Sequence, residues 1–229
     1  MKFIVVAIDG PTGVGKSTIT KLLAKNKQLM YVDTGAMYRC LAWKWEQYGC
    51  LEEINILDKI ANETVIEFQD SGEIFCDGEN VTETIRSEKI SALASKISQF
   101  LQIRSSMKNQ QRRLVHNMRN HSQFNGAVLE GRDIGTVVFP DADVKFFVDA
   151  DASVRAKRRY DQLSQKGINA NFQEILDALQ LRDKQDVSRE FAPLTKANDA
   201  IVIDTTHLSI DEVIHQMMFH IDKLSLIKS

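Results

Sequence analysis

Cysteine is scarce in this 229-residue chain, and long apolar runs are absent. Cys40, Cys50 and Cys76 are odd in number and widely spaced, so they supply neither a zinc motif nor a redox motif, and a reduced, cytosolic chain is the natural expectation. The five histidines are scattered, which leaves no visible metal cluster. Nothing approaches the length needed to span a bilayer. The apolar run from Phe3 to Ile8 is short and passes directly into a glycine-rich segment, so it reads as a strand and not as a signal peptide. A net charge of -2 gives no support to a general nucleic-acid or membrane-surface role, although local basic clusters remain open. Internal repeats, low-complexity tracts and long linkers are also missing. The expectation is a soluble, cytoplasmic protein with one domain carrying insertions, or with two small ones.

What is present starts at that first strand. Gly10-Pro11-Thr12-Gly13-Val14-Gly15-Lys16-Ser17-Thr18 follows it, and a helical pattern begins near Lys16. Gly10, Gly15, Lys16 and Ser17 fit G-x-x-x-x-G-K-[ST] with the strand before and helix after that the phosphate loop requires. Glycines let the backbone approach a phosphate and point successive N–H groups at it, and the helix N-terminus adds its positive end. Residues 10 to 18 are therefore the expected ATP-binding segment, with Lys16 on the β/γ-phosphates and the Ser17 hydroxyl on Mg²⁺.

The chain then alternates. Helix is expected over Thr18–Lys25, strand over Leu29–Val32, and helix over Ala36–Tyr48. Asp33-Thr34-Gly35 thus stands at a strand's carboxyl end, where open α/β sheets bind ligands. The rhythm breaks at 64–82. Strand patterns at Thr64–Gln69 and Glu73–Cys76, turns at Asp70-Ser71-Gly72 and Asp77-Gly78, and a short segment at Val81-Thr82 read as an inserted antiparallel meander. Polar helix follows from Ser87 to Arg119, expected as two helices carrying Ser95 and Arg104.

Strand three, Ala127–Glu130, runs into Gly131-Arg132-Asp133-Ile134-Gly135, a second charged cluster at a strand's carboxyl end. Strand four is Val144–Val148. In the next helix Arg155, Arg158 and Arg159 share a face. That face is either a surface balanced by Asp151 and Asp161, or a guanidinium cluster turned to transferring phosphates. A helix over Phe172–Arg182, if continued, sets Asp186 between Arg182 and Arg189, a triplet suited equally to bracing and to ligand binding. Ala200–Asp204 is the fifth strand, and Ser209 with Glu212 forms a capping box on a closing helix to Lys223. Strands alternating with helices argue for a parallel α/β core.

Taken together, these blocks resemble bacterial-type cytidylate kinases, a family of nucleoside monophosphate kinases. The match is carried by Ile8-Asp9-Gly10-Pro11 with Gly15-Lys16-Ser17-Thr18, by Asp33-Thr34-Gly35-Ala36-Met37-Tyr38-Arg39, and by the block from Gly131 to Ala142. It continues through Arg155-Ala156-Lys157-Arg158-Arg159, Arg182–Asp186, Arg189, Ala192-Pro193-Leu194 and Asp199–Thr205. The resemblance implies a three-layer phosphate-loop fold with a five-stranded parallel sheet. Its core would comprise residues 1–34, 125–154 and 190–229. A monophosphate-binding region with a small β insert would cover about 35–120, and a lid about 155–170.

The implied activity is ATP-dependent phosphorylation of CMP and dCMP. The implied catalytic residues are Lys16, Arg132, Arg155, Arg158 and Arg159. Thr34, Arg39, Ser95, Arg104, Arg132, Asp133, Arg182, Asp186 and Arg189 would bind CMP, and Asp33 would hold Mg²⁺ through water beside Ser17. Glu130 departs from the aspartate common at that position and is left without a role. The family implies a monomer with no nucleic-acid or membrane partner. A kinase of another small acceptor, such as UMP or shikimate, and a nucleotide-gated switch are the rival readings; the switch lacks an N-K-x-D base-reading signature.

Overall fold

Six consecutive residues with no polar side chain before the last form β1, Ile4–Asp9, and all but the first are buried. The computed structural model describes residues 3–69, 72–121 and 123–227. They divide into two compact units, 1–32 with 118–229, and 33–117.

In the first unit β1 leads through the glycine-rich loop into α1, Lys16–Lys27, and then β2, Leu29–Asp33. Later strands of this unit join them in one five-stranded parallel sheet. The second unit opens with α2, Thr34–Gln47, and α3, Ile54–Glu63. Its antiparallel meander comprises β3 (Ile66–Phe68), β4 (Ile74–Cys76) and β5 (Glu79–Asn80). It closes with α4, Glu88–Ile97, and most of α5, Leu101–His121. Trp45 on α2 is fully buried and meets Phe100 edge-to-face at 5.9 Å, and α2 packs along α4. The first unit resumes with β6 (Gly126–Gly131), β7 (Val144–Asp149), α6 (Ala152–Gln165), α7 (Phe172–Val187), β8 (Ile201–Asp204) and α8 (Ile210–Ile227).

The sheet order is β2-β6-β1-β7-β8. Connections leave the adjacent strands β1 and β7 in opposite directions, β1 toward β2 and β7 toward β8. The carboxyl ends of β1 and β7 therefore flank the crevice in which such sheets bind ligands. One face of the sheet is sealed by α1 and α8: Val6, Ile8, Val128, Phe146, Val148 and Ile203 pack against Ile19, Leu23, Val213 and Met217. The alternation of Val6 with Ile8 and of Val144 with Phe146 and Val148 follows the two-residue period of a strand.

Three boundaries differ from expectation. The last meander strand is Glu79–Asn80 and not Val81-Thr82. Asp77 and Gly78 both take positive φ, 51° and 81°, and the two-residue turn they make pairs Cys76 directly with Glu79. α3, unforeseen, buries Leu57, Ile60 and Ala61, while Ile54 in its first turn stays exposed. α7 runs on to Val187, so Asp186 is helical while Arg189 lies past the helix end. In the Asp70-Ser71-Gly72 turn, Asp70 and Ser71 fall outside the described residues.

Candidate active site

The loop after β1 is shaped by its glycines. Gly10 sits at φ 151°, and a Cβ there would fall 2.0 Å from the Val148 carbonyl oxygen, so the loop lies directly against β7. Gly13 and Gly15 also take positive φ, 80° and 92°. Gly15 caps α1 without a side chain, which leaves the first N–H groups of the helix facing outward for an anion. Lys16 begins α1 and is 7 % exposed. Its Nζ donates to the carbonyls of Gly10, at 2.8 Å, and Pro11, at 2.5 Å, and so arches over the loop. Burial and then the Arg132 charge push the Lys16 ammonium well below its ordinary range, against the pull of Glu130, Asp9 and Asp186. An anion placed beside Nζ would raise it again.

From β6 the chain passes through Arg132 and Asp133 into a π-type turn, Ile134–Val138, of the kind often found at functional positions. Arg132 Nε donates to Asp186 Oδ2 at 2.7 Å, and Arg189 bonds the other carboxylate oxygen. Asp186 is 1 % exposed. Burial alone would raise its carboxyl, but the charges of Arg132, Arg189 and Arg182 outweigh it and hold the group below the usual carboxylate range. The triplet is thus a brace that fixes two guanidinium groups, and the same cluster reaches Lys16 electrostatically.

Arg155 and Arg158 part company. Arg155 is buried, with Nε on the Ala150 carbonyl at 2.9 Å and Nη1 shared between the Thr12 carbonyl at 3.0 Å and Asp183 at 2.7 Å. It props the phosphate loop from α6. Arg158 bonds the Thr205 hydroxyl at 3.1 Å and the Thr205 carbonyl at 2.5 Å, at the carboxyl end of β8. Arg159 is half-buried.

In the second unit Asp33 N-caps α2 through the Ala36 N–H at 2.8 Å, and its other oxygen pairs with Arg39 at 3.3 Å. Thr34 is buried beside it. Arg104 is buried, donates to the Ser98 carbonyl at 3.1 Å, and lies over the Tyr38 ring. Ser95 Oγ is buried and has no hydrogen-bond partner among the described residues.

Sequence reasoning gave no role to Asp9, Glu130, Asp183 or Thr205. Asp9 is the last residue of β1 and Glu130 the last but one of β6, both buried, and a charged residue following an apolar run is the signal that marks such groups in advance. The Tyr31 hydroxyl donates to Glu130.

A glycine-shaped anion cradle at the switch point of a parallel sheet, with a buried lysine and an arginine cluster beside it, defines a phosphate-loop phosphotransferase. The model of the cytidylate kinase family matches residues 6–223. The cytidylate kinase of Thermosipho melanesiensis is 44 % identical over 213 residues, which cover 93 % of this chain and 94 % of that protein. That of Bacillus pumilus is 40 % identical over 227 residues, covering 97 % and 98 %. An uncharacterized protein from Eubacterium ventriosum shares the fold, with a TM-score of 0.53 at 15 % identity, over 97 % of this chain and 99 % of that one. The chain belongs to the cytidylate kinase family and is a phosphate-transferring enzyme.

Proposed function

We propose that this enzyme transfers the γ-phosphoryl group of ATP to CMP or dCMP, with residues 10–18 on the triphosphate and the arginine clusters on the acceptor. Family membership carries the reaction. The observation that supports the residue roles is the Arg132–Asp186–Arg189 brace, two of whose members, Arg132 and Asp186, bear directly on Lys16 within one unit. The acceptor phosphate is already an anion, so no general base is needed, and catalysis rests on positioning and charge stabilisation.

Lys16 stabilises charge on the β/γ-phosphates, and Arg132 and Arg189 meet the acceptor phosphate in orientations fixed by Asp186. Arg155 keeps the loop shaped through Thr12. Arg158 and Arg159 close over the transferring group and exclude water, and Arg182, Asp133, Thr34, Arg39, Ser95 and Arg104 hold CMP. Ser17 is exposed on the first turn of α1 and offers a hard oxygen donor. That fits Mg²⁺, which takes few protein ligands and relies on phosphates and water. Bound there, and held through water by Asp33, it would neutralise phosphate charge. No described helix is long and apolar enough to cross a membrane. The proposed enzyme works as a cytoplasmic monomer without nucleic-acid or membrane partners.

Lys16→Ala tests the assignment. Transfer should fall by about 100- to 1,000-fold, the scale of losing one charge-stabilising donor, while CMP affinity by calorimetry stays within a few-fold. Transfer at near-normal rate sinks the mechanism.

A further inference from the structure

Asp9 closes β1 immediately before the phosphate loop and is 4 % exposed. One of its oxygens accepts the Ile134 N–H at 2.8 Å, and the other accepts the Gly135 N–H at 2.7 Å. Both donors open the π-type turn that follows Arg132 and Asp133. The first N–H groups of such a turn lack partners of their own, and here Asp133, at the capping position, provides no side-chain cap. The strand register independently sets Asp9 opposite Gly131. The segment bearing Arg132 and Asp133 is therefore held to β1 on both sides, by the β-ladder before it and by the carboxylate after it. The turn has little slack: a Cβ on Gly135 would lie 3.1 Å from Lys145 Cδ and 3.3 Å from Asp9 Oδ2.

We infer that Asp9 is a positioning residue for phosphoryl transfer, registering Arg132 and Asp133 against the phosphate loop. Only a carboxylate offers two acceptor oxygens and no donor from one short side chain, which is what two converging N–H groups require. The charge is retained at a cost. Burial pushes the Asp9 carboxyl up to about 6 despite the Gly135 and Ile134 N–H bonds, with Asp133 pushing the same way and Lys16 opposing. A neutral residue would be easier to bury there, so the geometry of the clamp is the reason for the carboxylate. In-line transfer is sensitive to small displacements of the groups that hold the acceptor, so loosening this clamp acts on turnover more than on ATP binding.

The inference rests on assigning Arg132 to the acceptor. In Asp9→Asn the amide keeps one acceptor oxygen and turns an NH₂ toward an N–H. Its kcat with CMP should fall at least about 30-fold while KM for ATP moves less than about threefold. Gly135→Ala presses on the same clamp from the turn side without altering charge and should share the kcat loss. It also decides the matter if Asp9→Asn does not fold. A kcat within threefold of the parent in either folded variant overturns the clamp, as does a KM for ATP that rises in step with the kcat loss. Arg132→Ala separates the two readings. If it leaves CMP kinetics unchanged, the acceptor assignment fails. If it impairs them while Asp9→Asn does not, the clamp alone fails.

Discussion

Replacing Asp186 with alanine should cost this protein stability and acceptor binding together. The carboxylate lies between Arg132, whose side chain is 19 % exposed, and Arg189, 9 % exposed, and is itself 1 % exposed. Removing one member of a buried ion pair costs about 3–5 kcal/mol, because the partner charge is left behind. Arg132 can regain some water, so the lower end applies, about 3 kcal/mol. With a urea m-value of about 3 kcal/mol/M, the unfolding midpoint should drop by about 1 M. The pH dependence follows from the lowered carboxyl. Its contribution is present in full above the unfolded value of 3.8 and is lost as pH falls through the lower folded value, so parent and variant should converge only in strong acid. Initial rates should show a raised KM for CMP and a weakened preference for CMP over UMP. A destabilisation below about 1 kcal/mol would refute the brace. An unchanged CMP/UMP preference would remove Asp186 from base or sugar recognition.

Gly10→Ala drives a Cβ to within 2.0 Å of the Val148 carbonyl, a backbone atom that cannot swing away. ATP binding should be lost and the melting temperature lowered, and wild-type KM for ATP would contradict the loop's seat on β7. Ser95→Ala removes a buried hydroxyl that bonds nothing among the described residues, so stability should be unchanged. KM for CMP should rise about 2- to 10-fold, the scale of one neutral hydrogen bond; an unaltered KM with both CMP and dCMP excludes Ser95 from the acceptor site.

The core of the fold was legible because its signals are local. A β-branched run before Gly10, turn residues after each apolar stretch and the Ser209/Glu212 box each announce an element without reference to the rest of the chain. The box is present, with Ser209 N–H on Glu212 Oε2 at 2.8 Å and Glu212 N–H on Ser209 Oγ at 3.3 Å. α3 was legible and passed over: Ile54, Leu57, Ile60 and Ala61 recur at helical spacing, in a short stretch between the α/β rhythm and the meander. The arginine helix shows what spacing leaves open. Arg155 and Arg158 stand three apart on α6, yet one props Thr12 and the other holds Thr205, and nothing in their periodicity distinguishes the two. Asp186 was identified by its flanking arginines Arg182 and Arg189, but its pairing with Arg132, 54 residues away, and its bond to the Leu194 segment are not local signals. The Leu194 N–H bonds its carbonyl at 2.8 Å. Asp9 was passed over because its two partners are more than a hundred residues away in sequence.

The central claim, that the phosphate loop and the arginine clusters serve ATP-dependent transfer to a cytosine monophosphate, is tested most directly by ADP release from Mg-ATP with a panel of acceptors. CMP and dCMP should each stimulate release far above the acceptor-free rate, with UMP weaker and AMP, GMP and shikimate inactive. Release that ignores the acceptor, or that answers best to UMP or shikimate, would contradict it.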